Sequence, residues 1–144
     1  MDKIEVRKSL VHGNGIFANE DIPKGMVIEK SPMIEFKYNY DNEVLNNYFY
    51  AYRDDNRNVN SKRTVMPMGF FMIYNHSYEP NIRIIGHSDL SENITVSSVR
   101  DKINNESIIR IGTFIAVTTR NIKKNEELFH NYYNGFDHSS LEKF

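Results

Sequence analysis

The chain has 144 residues, 40% of them hydrophobic and 26% charged, which is enough apolar material for one compact core, and residues 1–144 are read as a single domain. A net charge of -1, with Lys and Arg scattered along the chain, provides no basic field for a phosphate backbone and argues against direct nucleic-acid binding. Cysteine is absent, so disulfides and thiolate zinc sites are excluded. No apolar core of signal-peptide length follows Met1 and no stretch approaches a membrane span, so an intracellular location and no membrane partner are expected.

In chain order, the first strand is predicted at 4–8, after which Gly13-Asn14-Gly15 turns the chain into Ile16-Phe17-Ala18. Glycines there allow positive φ and close approach of the backbone to a ligand, although an ordinary hairpin turn accounts for the same spacing. Pro23-Lys24-Gly25 is a second turn, and 26–29 and 33–36 read as short strands split by Ser31-Pro32. Val44, Leu45, Tyr48, Phe49 and Tyr52 recur at three- and four-residue spacing, which predicts an amphipathic helix over 41–52 with an acidic start. The charged run 54–63 is a loop, and a lid touching substrate is one reading of it.

The central stretch, Gly69-Phe70-Phe71-Met72-Ile73-Tyr74-Asn75-His76-Ser77-Tyr78-Glu79-Pro80-Asn81, is an apolar run long enough for a buried strand or short helix that empties into polar residues. Buried amide and imidazole groups need hydrogen-bond partners, supplied either by a capped core or by a ligand. Residues 81–85, 94–99 and 108–117 read as strands, the last as the longest and most β-branched and therefore central. In the turn Asn121-Ile122-Lys123-Lys124-Asn125, Asn125 is suited to the left-handed conformation. No internal repeat is evident. Short strands and frequent turns predict a mostly β chain with one or two short helices. Sequons at Asn75, Asn93 and Asn105 are read as accidents of an Asn-rich chain.

Gly13-Asn14-Gly15, Asn75-His76-Ser77 with Pro80-Asn81, and Glu127-Leu128-Phe129-His130-Asn131-Tyr132, in that order, resemble the signature of SET-domain protein lysine methyltransferases. Ile22-Pro23-Lys24-Gly25-Met26-Val27-Ile28-Glu29 is similar to the family's I-x-x-G-x-x-I-x-E segment. The resemblance implies a SET-domain β fold of several small sheets with a C-terminal pseudoknot, a helical and loop insert at about 41–64, and S-adenosyl-L-methionine as methyl donor to a lysine-bearing protein, such as a histone or another basic tail. With no cysteine, the chain resembles the minimal viral and bacterial members. Its lysine channel is then closed by its own C-terminus or by a partner chain, a homodimer being one form. A histone substrate would place it in the nucleus.

By the same resemblance Tyr132 is the catalytic residue and also contacts the cofactor. Gly13, Asn14 and Gly15 hold the methionine end through the backbone and Asn75 through its side-chain amide, while His76 offers backbone groups to the adenine rather than acting as a base. Tyr48 and Phe136 line the substrate channel, Phe136 standing where short members often carry a second tyrosine. The His residues show no ligand spacing, so no metal is expected. Glu29, Glu35, Asp41 and Glu43 would attract a basic tail if they cluster. A non-catalytic SET-like module that binds cofactor or a lysine-bearing peptide is the alternative. The segment His130-Asn131-Tyr132 departs from the usual Tyr-Asp-Tyr but keeps the final tyrosine.

Overall fold

The structure is a computed structural model describing residues 3–37, 50–51, 63–95, 108–134 and 137–138. Its strands are β1 (Ile4–Lys8), β2 (Asn14–Ala18), β3 (Val27–Lys37), β4 (Tyr50–Ala51), β5 (Arg63–Pro67), β6 (Asn75–His76), β7 (Ile82–Thr95), β8 (Ile108–Thr118), β9 (Glu127–His130) and β10 (Asp137–His138), with a 3-10 turn at Tyr132–Asn134. They form a four-stranded sheet ordered β1-β2-β9-β6 and a six-stranded sheet ordered β10-β7-β8-β3-β5-β4. The mostly β architecture expected from the strand-and-turn pattern is the one observed. Among the described residues no helix is long and apolar enough to cross a membrane.

β8 is central, as its composition predicts, because it is covered on both faces. Phe114 and Ala116 point into the main core with Ile16, Met33, Val65, Phe71 and Leu128. Ile115 and Val117 pack on the opposite face with Ile85 and Val27. Alternate residues of a strand face opposite sides, so a strand buried on both reads as an unbroken apolar run.

Four local expectations change. Ser31-Pro32 does not split β3, which runs through it against β8 with Pro32 opposite Thr113. In an antiparallel strand the N–H and C=O of one residue point the same way. The Pro32 carbonyl accepts Met68 N–H at 2.9 Å, so its nitrogen faces the side where β5 has already ended and no bond to β8 is lost. The segments expected at 81–85 and 94–99 are one strand as far as Thr95, β7, which at 14 residues exceeds the 11 of β8 and absorbs the polar break as a register shift between Ser88 and Asn93.

Residues 69–73 form a turn rather than a strand or helix: Gly69 has φ 72° and Ile73 N–H bonds to Phe70 C=O at 2.8 Å. Most of the predicted helix 41–52 lies outside the described residues, but its end, Tyr50–Ala51, is strand β4 on the open edge of β5. That edge offers unpaired backbone groups, and these outweigh the helical spacing of the side chains.

Two turns show a relation hidden in the sequence. Asp21-Ile22-Pro23-Lys24-Gly25 and Asn121-Ile122-Lys123-Lys124-Asn125 lie against each other, with Ile22 and Ile122 exchanging backbone bonds of 2.9 and 2.7 Å. Each turn is capped by the other: Asp21 Oδ1 accepts Lys124 N–H at 2.8 Å and Asn121 Oδ1 accepts Lys24 N–H at 2.9 Å. Gly25 has φ 82° and Asn125 φ 72°, so the asparagine adopts the left-handed geometry anticipated for it. The pair is a structural repeat too degenerate to be recognised from residue identities, and it delivers the chain into β3 on one side and β9 on the other.

Candidate active site

β9 runs between β2 and β6, antiparallel to the first and parallel to the second, with Ile16 opposite Leu128 and Asn75 opposite Phe129. This draws the Gly13-Asn14-Gly15 turn, the Asn75-His76-Ser77 segment and the C-terminal Tyr132 together. Asn81 holds the far end of the segment: its Nδ2 donates to Glu127 C=O at 2.9 Å, and its Oδ1 accepts Phe129 N–H at 2.7 Å. Ser77 N–H donates to His130 C=O at 3.1 Å. Asn81 is buried, and both halves of its amide substitute for ladder bonds that the turning chain cannot make.

Asn75 is 7% exposed. Its Nδ2 lies 2.9 Å from His12 C=O, 3.1 Å from Asn14 C=O and 2.8 Å from Glu127 Oε1. Every neighbour of that nitrogen is an acceptor, which fixes the orientation of the amide, and among the described residues no donor bonds to Oδ1. Glu127 is buried, and its second oxygen accepts Ser9 Oγ–H at 2.9 Å. Ser9 in turn closes the preceding loop, accepting Val11 N–H at 3.0 Å and His12 N–H at 3.3 Å. Gly15 is required by packing: a Cβ there would strike the Glu127 carboxylate, with Asn75 Nδ2 only 3.1 Å away. Gly13 has φ 48° and open space around it. Asn14 contributes its carbonyl.

Tyr132 is held at two points. Its backbone N–H donates to His76 Nδ1 at 3.0 Å, and its hydroxyl donates to Tyr74 C=O at 2.6 Å. With the Nδ1 lone pair engaged, neutral His76 carries its proton on Nε2, an atom that is buried without a hydrogen-bond partner. The imidazole in that tautomer has no free lone pair with which to act as a base. Its ring lies 5.2 Å from Tyr132 and edge-on to Tyr78 and Tyr133 at 4.6 and 5.4 Å. His130, beside Tyr132 at 5.0 Å, is pushed down to a pKa of about 4 by burial and by the nearby His76. Tyr78 and Tyr133 stack in parallel on the surface, and the neighbouring Tyr133 hydroxyl raises the Tyr78 pKa.

Gly13, Asn14, Gly15, Asn75, His76 and Tyr132 thus converge, while Tyr48 and Phe136 lie outside the described residues. Sequence reasoning missed Ser9, Glu127 and Tyr74. Glu127 carried a signal in its place within the Glu-Leu-x-x-x-Tyr segment, but nothing local indicated Ser9 or the Tyr74 carbonyl. Glu29 is not a surface charge for a basic tail: its carboxylate accepts Phe70 N–H at 2.6 Å and Tyr74 Oη–H at 2.8 Å. Among the described residues no His, Asp or Glu side chains group as a metal site.

Residues 13–133 match the family model of the SET domain, so the chain belongs to the SET-domain family, a lysine methyltransferase family. Its fold is also similar to the crystal structure of a Plasmodium falciparum candidate histone methyltransferase, with 26% identity and a TM-score of 0.58 over 92% of this chain and 94% of the other. No curated protein matches significantly by sequence.

Proposed function

We propose that this chain is a protein lysine N-methyltransferase that uses S-adenosyl-L-methionine, with a basic protein tail, a histone tail in the first instance, as substrate. The carrying observation is the pairing of a prebuilt polar cradle at Gly15, Asn75 and Glu127 with a tyrosine whose hydroxyl proton is already committed to the Tyr74 carbonyl. The cradle fits the cofactor's amino-acid end. The nitrogen of the Asn75 amide is consumed internally, so what remains for a ligand is the Oδ1 acceptor, suited to an ammonium group. The Glu127 carboxylate behind it adds negative charge in a poorly solvated place and favours a cationic ligand. Bound there, the sulfonium cofactor would supply an electrophilic methyl group.

The residues of the chain do the rest by positioning. The Tyr132 hydroxyl donates to Tyr74 C=O, and its oxygen would act as an acceptor toward polarised C–H or N–H groups of a reacting pair. The substrate lysine must be neutral to attack the methyl carbon, and free lysine titrates near ~10.4. A neighbouring sulfonium would favour the neutral amine. With the cofactor bound, transfer would form the N–C bond as the C–S bond breaks with its electron pair passing to sulfur, and the methylated ammonium would release its proton to solvent. Alignment of amine and methyl can supply roughly 7–11 kcal/mol at the upper end. The family resemblance assigns Tyr48 and Phe136 to the channel that aligns the amine, and a second copy of the chain is one means of closing it. A histone substrate would imply a nuclear location.

The test has two stages. S-adenosylmethionine should raise the melting temperature of the wild type by mass action. Labelled cofactor incubated with core histones and with total cell extract should then leave label on lysine by peptide mass spectrometry. Absence of any thermal response at millimolar cofactor contradicts the proposal, and binding without transfer to any protein identifies a non-catalytic module instead.

A further inference from the structure

Tyr132 takes its hydroxyl anchor from Tyr74, and Tyr74 is itself held in an unusual way. Its ring is fully buried and packs edge-on to Phe71 at 6.0 Å, where a phenylalanine would fill the same space. The hydroxyl serves a separate purpose, donating to Glu29 Oε1 at 2.8 Å. The other oxygen of Glu29 accepts Phe70 N–H at 2.6 Å and Ser31 Oγ–H at 3.3 Å. One carboxylate on β3 thereby fixes both ends of the 69–74 turn. Gly69 is shaped to this arrangement: with φ 72°, it leaves no room for a Cβ, which would meet Glu29 Oε2 and Ser31 Oγ. Burial raises the Glu29 pKa against the opposing pull of these donors. A costly group is thus retained in a place where a turn could be capped by a neutral one.

We infer that Glu29 and the Tyr74 hydroxyl form a brace that positions the Tyr132 hydroxyl, through the Tyr74 carbonyl, for methyl transfer. Glu29 is a positioning residue. It sets where the 69–74 turn delivers the carbonyl that accepts the Tyr132 proton, and thereby which way the tyrosine's lone pairs face. The inference rests on the methyltransferase reading for its catalytic consequence and on geometry alone for the coupling between Glu29, Tyr74 and Tyr132.

Tyr74→Phe removes the hydroxyl but keeps the ring and the carbonyl, and Glu29→Gln keeps the shape of the acid. With cofactor and a lysine peptide, Tyr74→Phe should lower kcat by about tenfold, the scale expected for a misaligned reacting group, with cofactor Kd nearly unchanged. In the Tyr132→Phe background the same change should cost little more, since the brace acts through a hydroxyl that is already gone. The carbon-13 resonance of Tyr132 Cζ, followed in the cofactor-free protein, should move in Tyr74→Phe and in Glu29→Gln. That measurement needs no activity, so it decides the brace even if the wild type transfers no methyl group, a result that would contradict the enzymatic reading alone. If one variant fails to fold, the other provides the same resonance shift. A lower melting temperature with unmoved Tyr132 Cζ and unchanged kcat, or rate losses that multiply in the double variant, would overturn the inference and leave Glu29 as a turn clamp.

Discussion

Asn75 and Tyr132 are brought to the same small region by β6 and β9, yet they are secured differently. Asn75 is buried and its amide nitrogen sits among three internal acceptors, one of them the buried Glu127 carboxylate. Tyr132 is 49% exposed and is positioned by two bonds, from its backbone to His76 and from its hydroxyl to Tyr74. The first arrangement is part of the core and would exist with no ligand to bind. The second stands at the boundary with solvent, where its geometry can matter to a reaction more than to the fold. Substitutions on the cradle side should therefore cost stability along with binding, and those on the transfer side should cost rate.

The sharpest break of this contrast is Tyr132→Phe. Losing a preorganised hydroxyl should lower turnover by about 10²-fold or more, while a half-exposed ring leaves the melting temperature almost unchanged. Single-turnover transfer alongside calorimetric cofactor binding separates the two. Asn75→Ala should show the opposite balance, since it leaves a buried Glu127 oxygen without its amide donor. A stability loss of about 1–3 kcal/mol in urea titration is expected, together with loss of most of the cofactor-induced thermal shift.

Gly15→Ala probes the same cradle by crowding, because the new methyl meets Glu127. Overpacking of this kind costs about 1–3 kcal/mol, and cofactor affinity should fall as the carboxylate is displaced. The pH response distinguishes the regions in another way. His130 titrates at about 4 in the fold against about 6.5 when unfolded, so its unfolded form binds the proton first. Its contribution is fully present above about pH 6.5, is lost as pH falls toward about 4, and changes no further below that. His130→Asn should flatten this part of the stability profile measured by denaturant titration. The mildest change is Asn125→Gly, outside both regions. It relieves a left-handed asparagine but deletes the 2.8 Å bond from Arg7, and the net effect should stay within about 0.5 kcal/mol.

The site was legible where the chemistry is local. The Gly13-Asn14-Gly15 turn and the polar end of the apolar run at Asn75-His76 stand out by residue type, whereas Tyr132 is singled out only through the family resemblance of its Glu-Leu-x-x-x-Tyr segment. Ser9 and Glu127 escaped because each looks ordinary among its neighbours and gains meaning from a partner 118 positions away in the chain. Nothing in the segment around Glu29 announces that the 69–74 turn will close over its carboxylate. The same limit applied to the fold. Pro32 looked like a strand breaker, and only the place where β5 ends makes it harmless.

What the sequence determined by itself were the features carried by alternation and by backbone preference: β8 as a strand apolar on both faces, the hairpin at Gly13, the left-handed turn at Asn125. Each depends on side chains or dihedrals within a few residues, so the information is local. The tertiary structure decided which way the apolar run at 69–74 turns, that two dissimilar segments around Ile22 and Ile122 cap one another, and that Tyr132 rests its hydroxyl on the Tyr74 carbonyl. Those outcomes depend on which unpaired carbonyl, carboxylate or amide is brought opposite by a strand from elsewhere in the chain, and long-range pairing of that kind leaves no periodicity to read.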